Sequence, residues 1–278
     1  MAIISDTLST VSDTLKAGQE SGSQDTGWIL HHILDSNEVW GFKLPSIDIF
    51  GLHLPVTKHV IFMWIAAILL IVVFRYAAKS YKKSPVPSGM PNFLEVMIVF
   101  VRDDIVKPSI GPGYERFLPF LLTIFFFILT LNFLGLLPES ATSTSNISVT
   151  ATLAVISFIV TQAGGIMKNG FFGYFKGLMP HGVPIWLIPI MFIVEILGLF
   201  TKPFALAVRL FANMTAGHIV ILALLGLIFI LRTYFVAPVS IAFALFIYLL
   251  EILVALIQAY IFTMLSALFI GMAVHQEH

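Results

Sequence analysis

The sequence predicts an all-α polytopic membrane protein, with about five membrane-crossing helices and one interfacial amphipathic helix, the last two crossings long and strongly tilted. Three observations carry this. Of 278 residues, 58% are hydrophobic and only 11% are charged, against about 25% charged in soluble domains. Mean hydropathy is +0.97. The apolar residues also fall in long runs of membrane-spanning length rather than in short alternating segments. Formal net charge is zero, which points to no nucleic-acid or polyanion partner. Cysteine is absent, which excludes disulfides, thiolate metal sites and cysteine catalysis on this chain.

Residues 1–57 form a polar arm that leans acidic and lacks the cationic start and compact apolar core of a secretory signal. The adjacent His31 and His32 are candidates for a metal pair, but neighbouring residues do not share a helix face, so a solvated or capping role is the better reading. KHVIFMWIAAILLIVVFRY opens the first span, 58–77. The basic cluster Arg75, Lys79, Lys82 and Lys83 follows, which places that end in the cytoplasm and the arm outside. Residues 78–115 are a cytoplasmic linker, SPVPSGMP, and an amphipathic helix, NFLEVMIVFVRDDIVKP, whose mixed charges suit an interface better than a span.

Residues 116–167 are a transmembrane hairpin. Its loop, ESATSTSNIS, has no Lys or Arg, as an outer loop should. The Asn146-Ile-Ser148 match to a glycosylation sequon reads as chance. The hairpin carries few ionisable groups and is expected to be scaffold. Residues 168–183, with Lys168 and Lys176, form a cytoplasmic loop. Residues 184–274 hold two long apolar tracts, and 275–278 a cytoplasmic tail without the HExxH metal pattern. A helix of ~48 residues would run ~70 Å against a hydrocarbon core of ~30 Å. The tracts must either break, with Lys202-Pro203 the obvious place, or incline.

Beyond Arg116 the only acids are Glu139, Glu195, Glu251 and Glu277. AVRLFANMTAGH (207–218) inserts Arg209, Asn213 and His218 into apolar sequence. Guanidinium stays charged at any accessible pH, and at mid-bilayer it costs about 2.5–3.5 kcal/mol on insertion scales. On a helix, Arg209, Ala212, Asn213, Ala216 and Gly217 share one face, with small residues that let another helix approach. An arginine reaching to headgroups would need the span to end nearby, yet apolar residues continue beyond it. His218, nine positions on, points the other way.

In the last tract Glu251, Ala255 and Gln258 share a face. His218 and Glu251 read either as a proton-handling pair or as one interhelical hydrogen bond. Gln258 reads as a hydrogen-bond partner that orients the guanidinium or as interhelical glue. Glu195 reads as a proton acceptor at the inner mouth or as an ion-pair partner of Lys202. A secondary transporter would show two matching halves, and none are present. A membrane enzyme would need converging nucleophile, base or metal ligands, and His218 with Glu251 does not supply them.

The run Val208-Arg209-Leu210-Phe211-Ala212-Asn213-Met214-Thr215-Ala216-Gly217-His218, followed by Ile257-Gln258-Ala259-Tyr260-Ile261-Phe262, resembles the subunit a family of rotary F-type ATP synthases. The likeness extends over most of 58–274. It departs from the best-known bacterial pattern in one respect: the histidine and glutamate at positions 218 and 251 have exchanged places, as neighbours sharing one proton-handling role would tolerate.

The resemblance implies the stator half of a proton channel, set against a ring of c subunits and held by b-type peripheral stalk subunits, within lipid and with the rest of the F1Fo complex. It implies that Arg209 separates two offset half-channels, that Asn213, His218, Glu251 and Gln258 line the outer one, and that Glu195 serves the inner one. Ala212, Ala216 and Gly217 would give clearance to the ring. No cofactor, metal or nucleotide chemistry on this chain is implied, and the expected home is a bacterial inner membrane.

Overall fold

The computed structural model describes residues 38–39, 42–43, 46–49, 52–55, 57–82, 89–137, 143–177, 188–231 and 236–275. The first 37 residues, His31 and His32 among them, lie outside this set, as do Lys83, Glu139, the remaining parts of the linker and loops, and the tail from 276. Five helices among the described residues are long and apolar enough to cross a membrane, and the membrane part is all-α.

Two short antiparallel ribbons, which the polar character of the arm did not announce, precede the helices. Strand β1 (Glu38–Val39) pairs with β2 (Phe42–Lys43), and β3 (Ser46–Ile49) with β4 (Leu52–Pro55). Helix α1 (Lys58–Tyr81) is the first span. Helix α2 (Met90–Phe100) runs on through a π-helical turn, Val101–Val106, into the short α3 (Lys107–Ile110). Helices α4 (Leu118–Gly135) and α5 (Ile147–Asn169) form the hairpin, α6 (Phe171–Gly177) follows, and α7 (Ile188–Leu231) and α8 (Val236–Val274) complete the chain.

The chain divides into two compact units: one is His59–Met214 with Leu250–His278, the other Met1–Lys58 with Thr215–Leu249. In the larger unit α4 is the most buried of the spans. Leu121, Ile128 and Leu131 have almost no exposed surface, and Ile124, Phe125 and Phe126 are buried beside them. A helix that is apolar all round belongs in the middle of a bundle. Helix α1 reaches it through an edge-on contact of Phe74 with Phe126, ring centroids 5.0 Å apart. The outer face of α1, with Trp64, Ile68, Ile71 and Val72, stays exposed. Hydrocarbon is an acceptable solvent for such a face.

The segment expected to be amphipathic is not among the five span-length helices. It buries Leu94, Val101, Ile105 and Ile110 and leaves Phe93, Val96, Asp103 and Asp104 exposed. Tyr81 at the end of α1 donates a 2.6 Å hydrogen bond to Glu95 on α2. Within the π-helical turn Arg102 forms a two-point contact with Asp103 at 2.9 and 2.8 Å, and those bonds hold the Asp103 carboxyl below the usual carboxylate range. Asn146 acts locally, because its side chain accepts from the Ser148 backbone N–H at 2.9 Å and caps α5.

The smaller unit contains the ribbons and the adjoining halves of α7 and α8. There Ser240 and Ala244 are buried, while Val239, Ile241, Phe243 and Leu245 are exposed.

Helix α7 continues through Pro203, so the chain does not break at Lys202-Pro203. A proline inside a helix removes one N–H donor and crowds the preceding turn. In the same turn the Thr201 hydroxyl donates a 3.0 Å bond to the Gly198 carbonyl, next to the Leu199 carbonyl whose N–H partner the proline removes. With 44 residues, α7 is ~66 Å long, about twice the hydrocarbon thickness of ~30 Å. Standing upright, it would protrude well beyond that thickness.

Close approach in the larger unit depends on glycine. A Cβ at Gly271 would strike the Ser109 carbonyl and the Ile110 backbone, whereas one at Gly198 would meet nothing within 4 Å. Gly271→Val should therefore lower stability by about 1–3 kcal/mol through overpacking, and Gly198→Ala should be neutral or slightly stabilising. Thermal unfolding of the two variants in detergent micelles measures the contrast.

Candidate functional site

Residues 203–214 of α7 sort their side chains by helical period. Leu206, Ala207, Leu210 and Met214 are buried on one side. Ala205, Arg209, Ala212 and Asn213 are exposed on the other. Packing of the leucine and methionine side fixes the rotation of the helix and so turns the guanidinium away from the unit's core. Among the described residues Arg209 has neither a hydrogen bond nor an ion pair. No hydrogen bond joins it to Gln258 in this structure.

Helix α8 presents the opposite situation. Glu251, Ala255, Gln258 and Phe262 form one buried stripe, each 4% exposed or less. Small residues bring the neighbours close: Ala255, Ala259 and Ala267 have no exposed surface. The stripe is tied down by polar bonds from the hairpin. Asn132, fully buried on α4, donates from Nδ2 to the Ala255 carbonyl at 3.1 Å. Ser157 on α5 donates to Ser266 at 2.8 Å. Thr263 returns its hydroxyl to the Ala259 carbonyl at 2.8 Å. Phe100 stacks on Tyr260 with centroids 6.1 Å apart.

A cavity of about 510 Å³ opens in the larger unit between α5, α6, α7 and the end of α8. Its lining is mixed: Ala154, Phe158, Leu206 and Phe269 are apolar, and Gln162, Tyr174, Glu195 and His275 are polar. Glu195 is half-buried there. Among the described residues no ion pair joins it to Lys202, whose ammonium instead sits 5.5 Å from the centre of the Phe269 ring. His275 is 3.1 Å from Lys168 through Nδ1. Tyr174 donates a 2.6 Å hydrogen bond to Gln162 Oε1. Burial pushes the Tyr174 phenol up from its ordinary range; the bond to Gln162 opposes this, and the nearby Glu195 charge adds to it. Tyr174 is therefore a neutral donor at physiological pH.

The remaining sequence candidates belong to the smaller unit. Ala216 is exposed there, and Gly217 and His218 are half-buried. The larger unit thus holds Arg209, Ala212, Asn213, Glu195, Glu251 and Gln258. Sequence reasoning passed over Asn132, Gln162 and Tyr174 because the hairpin looked like plain scaffold. The available signal was an amide inside apolar sequence at positions 132 and 162, which costs insertion energy just as an ionisable group does.

Five apolar helices, the last two carrying Glu195, Lys202, Arg209, His218 and Glu251 within their length, define an α-helical integral membrane protein with polar groups inside its spans. The family model described as ATP synthase A chain matches residues 60–271. The chain is 57% identical over 260 residues to ATP synthase subunit a of Chloroherpeton thalassium, covering 90% of this chain and 77% of the relative. It is 52% identical over 271 residues to that of Chlorobium phaeobacteroides, covering 93% and 79%. Against ATP synthase subunit a of Myxococcus xanthus it is 51% identical over 240 residues, covering 86% and 79%. The chain belongs to the ATP synthase A chain family, the subunit a of F-type ATP synthases. It is a proton-channel subunit of the Fo sector and has its place in the F1Fo complex.

The Ser157–Ser266 bond should be measurable as a coupling between α5 and α8. A double-mutant cycle with Ser157→Ala and Ser266→Ala should return about 0.5–1 kcal/mol of interaction energy, read from unfolding of the purified complex in detergent.

Proposed function

We propose that this chain forms two offset half-channels against a rotating ring of c subunits, with Arg209 between them. One observation carries the reading. A permanent cation, in the middle of an apolar helix, faces out of its own unit among small residues and has no counter-charge among the described residues. A desolvated guanidinium needs a negative partner, so that partner comes from another molecule. A c-subunit carboxylate carried past by rotation meets the requirement. Arg209 draws it into its ionised form and stops protons from passing directly between the half-channels.

The outer half-channel takes Asn213, His218, Glu251 and Gln258. The burial of Glu251 and Gln258 on one stripe of α8 supports this, because a carboxylate shielded from bulk solvent exchanges its proton only along a defined route. His218 and Glu251 act as one proton-handling unit. The inner half-channel takes Glu195 and the cavity it lines. Ala212, Ala216 and Gly217 leave clearance for the ring, and b-type stalk subunits hold the chain against it.

Orientation follows the basic cluster after the first span: residues 1–57 outside, 78–115 and 168–183 in the cytoplasm, and 275–278 as a cytoplasmic tail, in the inner membrane of a bacterium. Spans 58–77 and 116–167 support the pair within 184–274, whose inclination runs the two half-channels alongside the ring. Each proton that completes the path gains ~2.3 kcal/mol per 100 mV, so several are needed per nucleotide made on partner chains. This chain performs no nucleotide chemistry.

Arg209→Ala should reduce proton-driven ATP synthesis in membrane vesicles to background while the complex still assembles. Retained synthesis would refute the separator role. Arg209→Lys should also fail, since an ammonium neither delocalises its charge nor resists deprotonation as a guanidinium does. For the paired residues, His218→Glu combined with Glu251→His should restore more proton flux than either change alone; additive losses would show two independent sites.

A further inference from the structure

Gln162 is poorly suited to scaffold. It stands in the span-length helix α5, where leucine would insert at less cost. Its Oε1 accepts from the Tyr174 hydroxyl at 2.6 Å. Its Nε2 is buried, and among the described residues no acceptor pairs with it. A buried donor left unmatched costs about 1–3 kcal/mol, and native structures keep few of them without reason.

The chain goes to some length to hold this amide. Gly170, with φ 72°, lies in the left-handed region that favours glycine and turns the backbone out of α5 into α6. Helix α6 lays the Tyr174 ring on Gly165, where a single methyl group would overlap it. Tyr174 is 2% exposed, so its hydroxyl is fixed on the amide. Three successive departures from ordinary apolar helix packing thus converge on one side chain.

Among the described residues, the cavity that Gln162 lines contains one carboxylate, Glu195. The titratable groups facing it there are Lys202 on α7, Tyr174 on α6 and His275 after α8; α5 contributes only Gln162, Ser157 and Thr161. Most donors in the lining are engaged. Lys202 sits over Phe269, His275 lies against Lys168, and Tyr174 donates to Gln162. Ser157 donates to Ser266, and Thr161 to the Ser157 carbonyl at 2.8 Å. The Gln162 amide nitrogen is the buried side-chain donor in that set with no acceptor among the described residues, and Lys202 has only its ring contact.

We propose that Gln162 donates a hydrogen bond to Glu195 in its ionised state, directly or through one water, and that Tyr174 is the positioning residue that holds the amide for this contact. This deepens the inner half-channel reading and rests on it. When Glu195 releases its proton to water in the cavity, the carboxylate gains an N–H donor already oriented by Tyr174. When it is reprotonated, that bond is given up. The pair thereby sets the pH at which the inner path loads and unloads.

The test uses the complete F1Fo complex in liposomes, with passive Fo proton flux followed across a pH series. Tyr174→Phe keeps the ring on Gly165 and removes only the hydroxyl, while Gln162→Leu removes the amide. Loss of a donor to a carboxylate favours its protonated form, so both variants should move the midpoint of the flux profile to higher pH by about half a unit or more. Neither should add a shift in a Glu195→Gln background.

Unchanged midpoints in Tyr174→Phe and Gln162→Leu, with Glu195→Gln still altering flux, would overturn the proposal and leave the inner-path reading standing. Wild-type flux in Glu195→Gln would overturn the inner-path reading itself, and the Gln162 role with it. If Gln162→Leu does not assemble, the Tyr174→Phe profile decides alone.

Discussion

A positive charge that cannot be discharged, placed on an apolar helix and turned away from its own unit, is the constraint around which this chain is organised. Lysine or histidine in such a place can shed a proton and reduce the cost of desolvation; arginine cannot. The rest of α7 reflects this. Leu206, Leu210 and Met214 lock one side of the helix into the core, which fixes where Arg209 points. Alanines flank it on the exposed side. A complementary charge brought by a moving partner is, in the proposed mechanism, the one thing that satisfies it, and the stator role follows from that electrostatic need.

In that mechanism the chain must also resist deformation while its partner moves. The larger unit does this with a crowded aromatic and aliphatic centre on α4 and a few buried polar bonds to α8. In lipid there is no hydrophobic drive to hold helices together. Shape and hydrogen bonds must do it instead, as the Asn132–Ala255 and Ser157–Ser266 contacts illustrate. Close backbone approach at Gly271 serves the same end. These features keep the buried Glu251–Gln258 stripe in a fixed register relative to the hairpin.

The hairpin is therefore more than a passive support. The C-terminal half of α5 lines a polar cavity together with the start of α7, and Tyr174 of α6 closes one side of it. Glu195 is placed among amide, phenol and cationic groups rather than in an ion pair with Lys202. The carboxylate shares that cavity with polar side chains from α5, α6, α7 and the end of α8.

Membrane class, the five spans, the absence of cysteine chemistry and the stripe containing Arg209 were legible in the sequence. Each depends on composition or on the 3.6-residue period, which are properties of a segment taken alone. The Arg209 stripe was readable because a helix face is fixed once the helix is. Continuity of α7 through Pro203 was not readable: whether a proline breaks a helix depends on what replaces the lost bond and what packs beside it. The ribbons in the arm, the Asn132 and Gln162 contacts and the cavity around Glu195 were equally hidden, because each joins residues from segments distant in sequence. Local periodicity says which way a side chain faces on its own helix. Only the packing of one helix on another decides what it meets there.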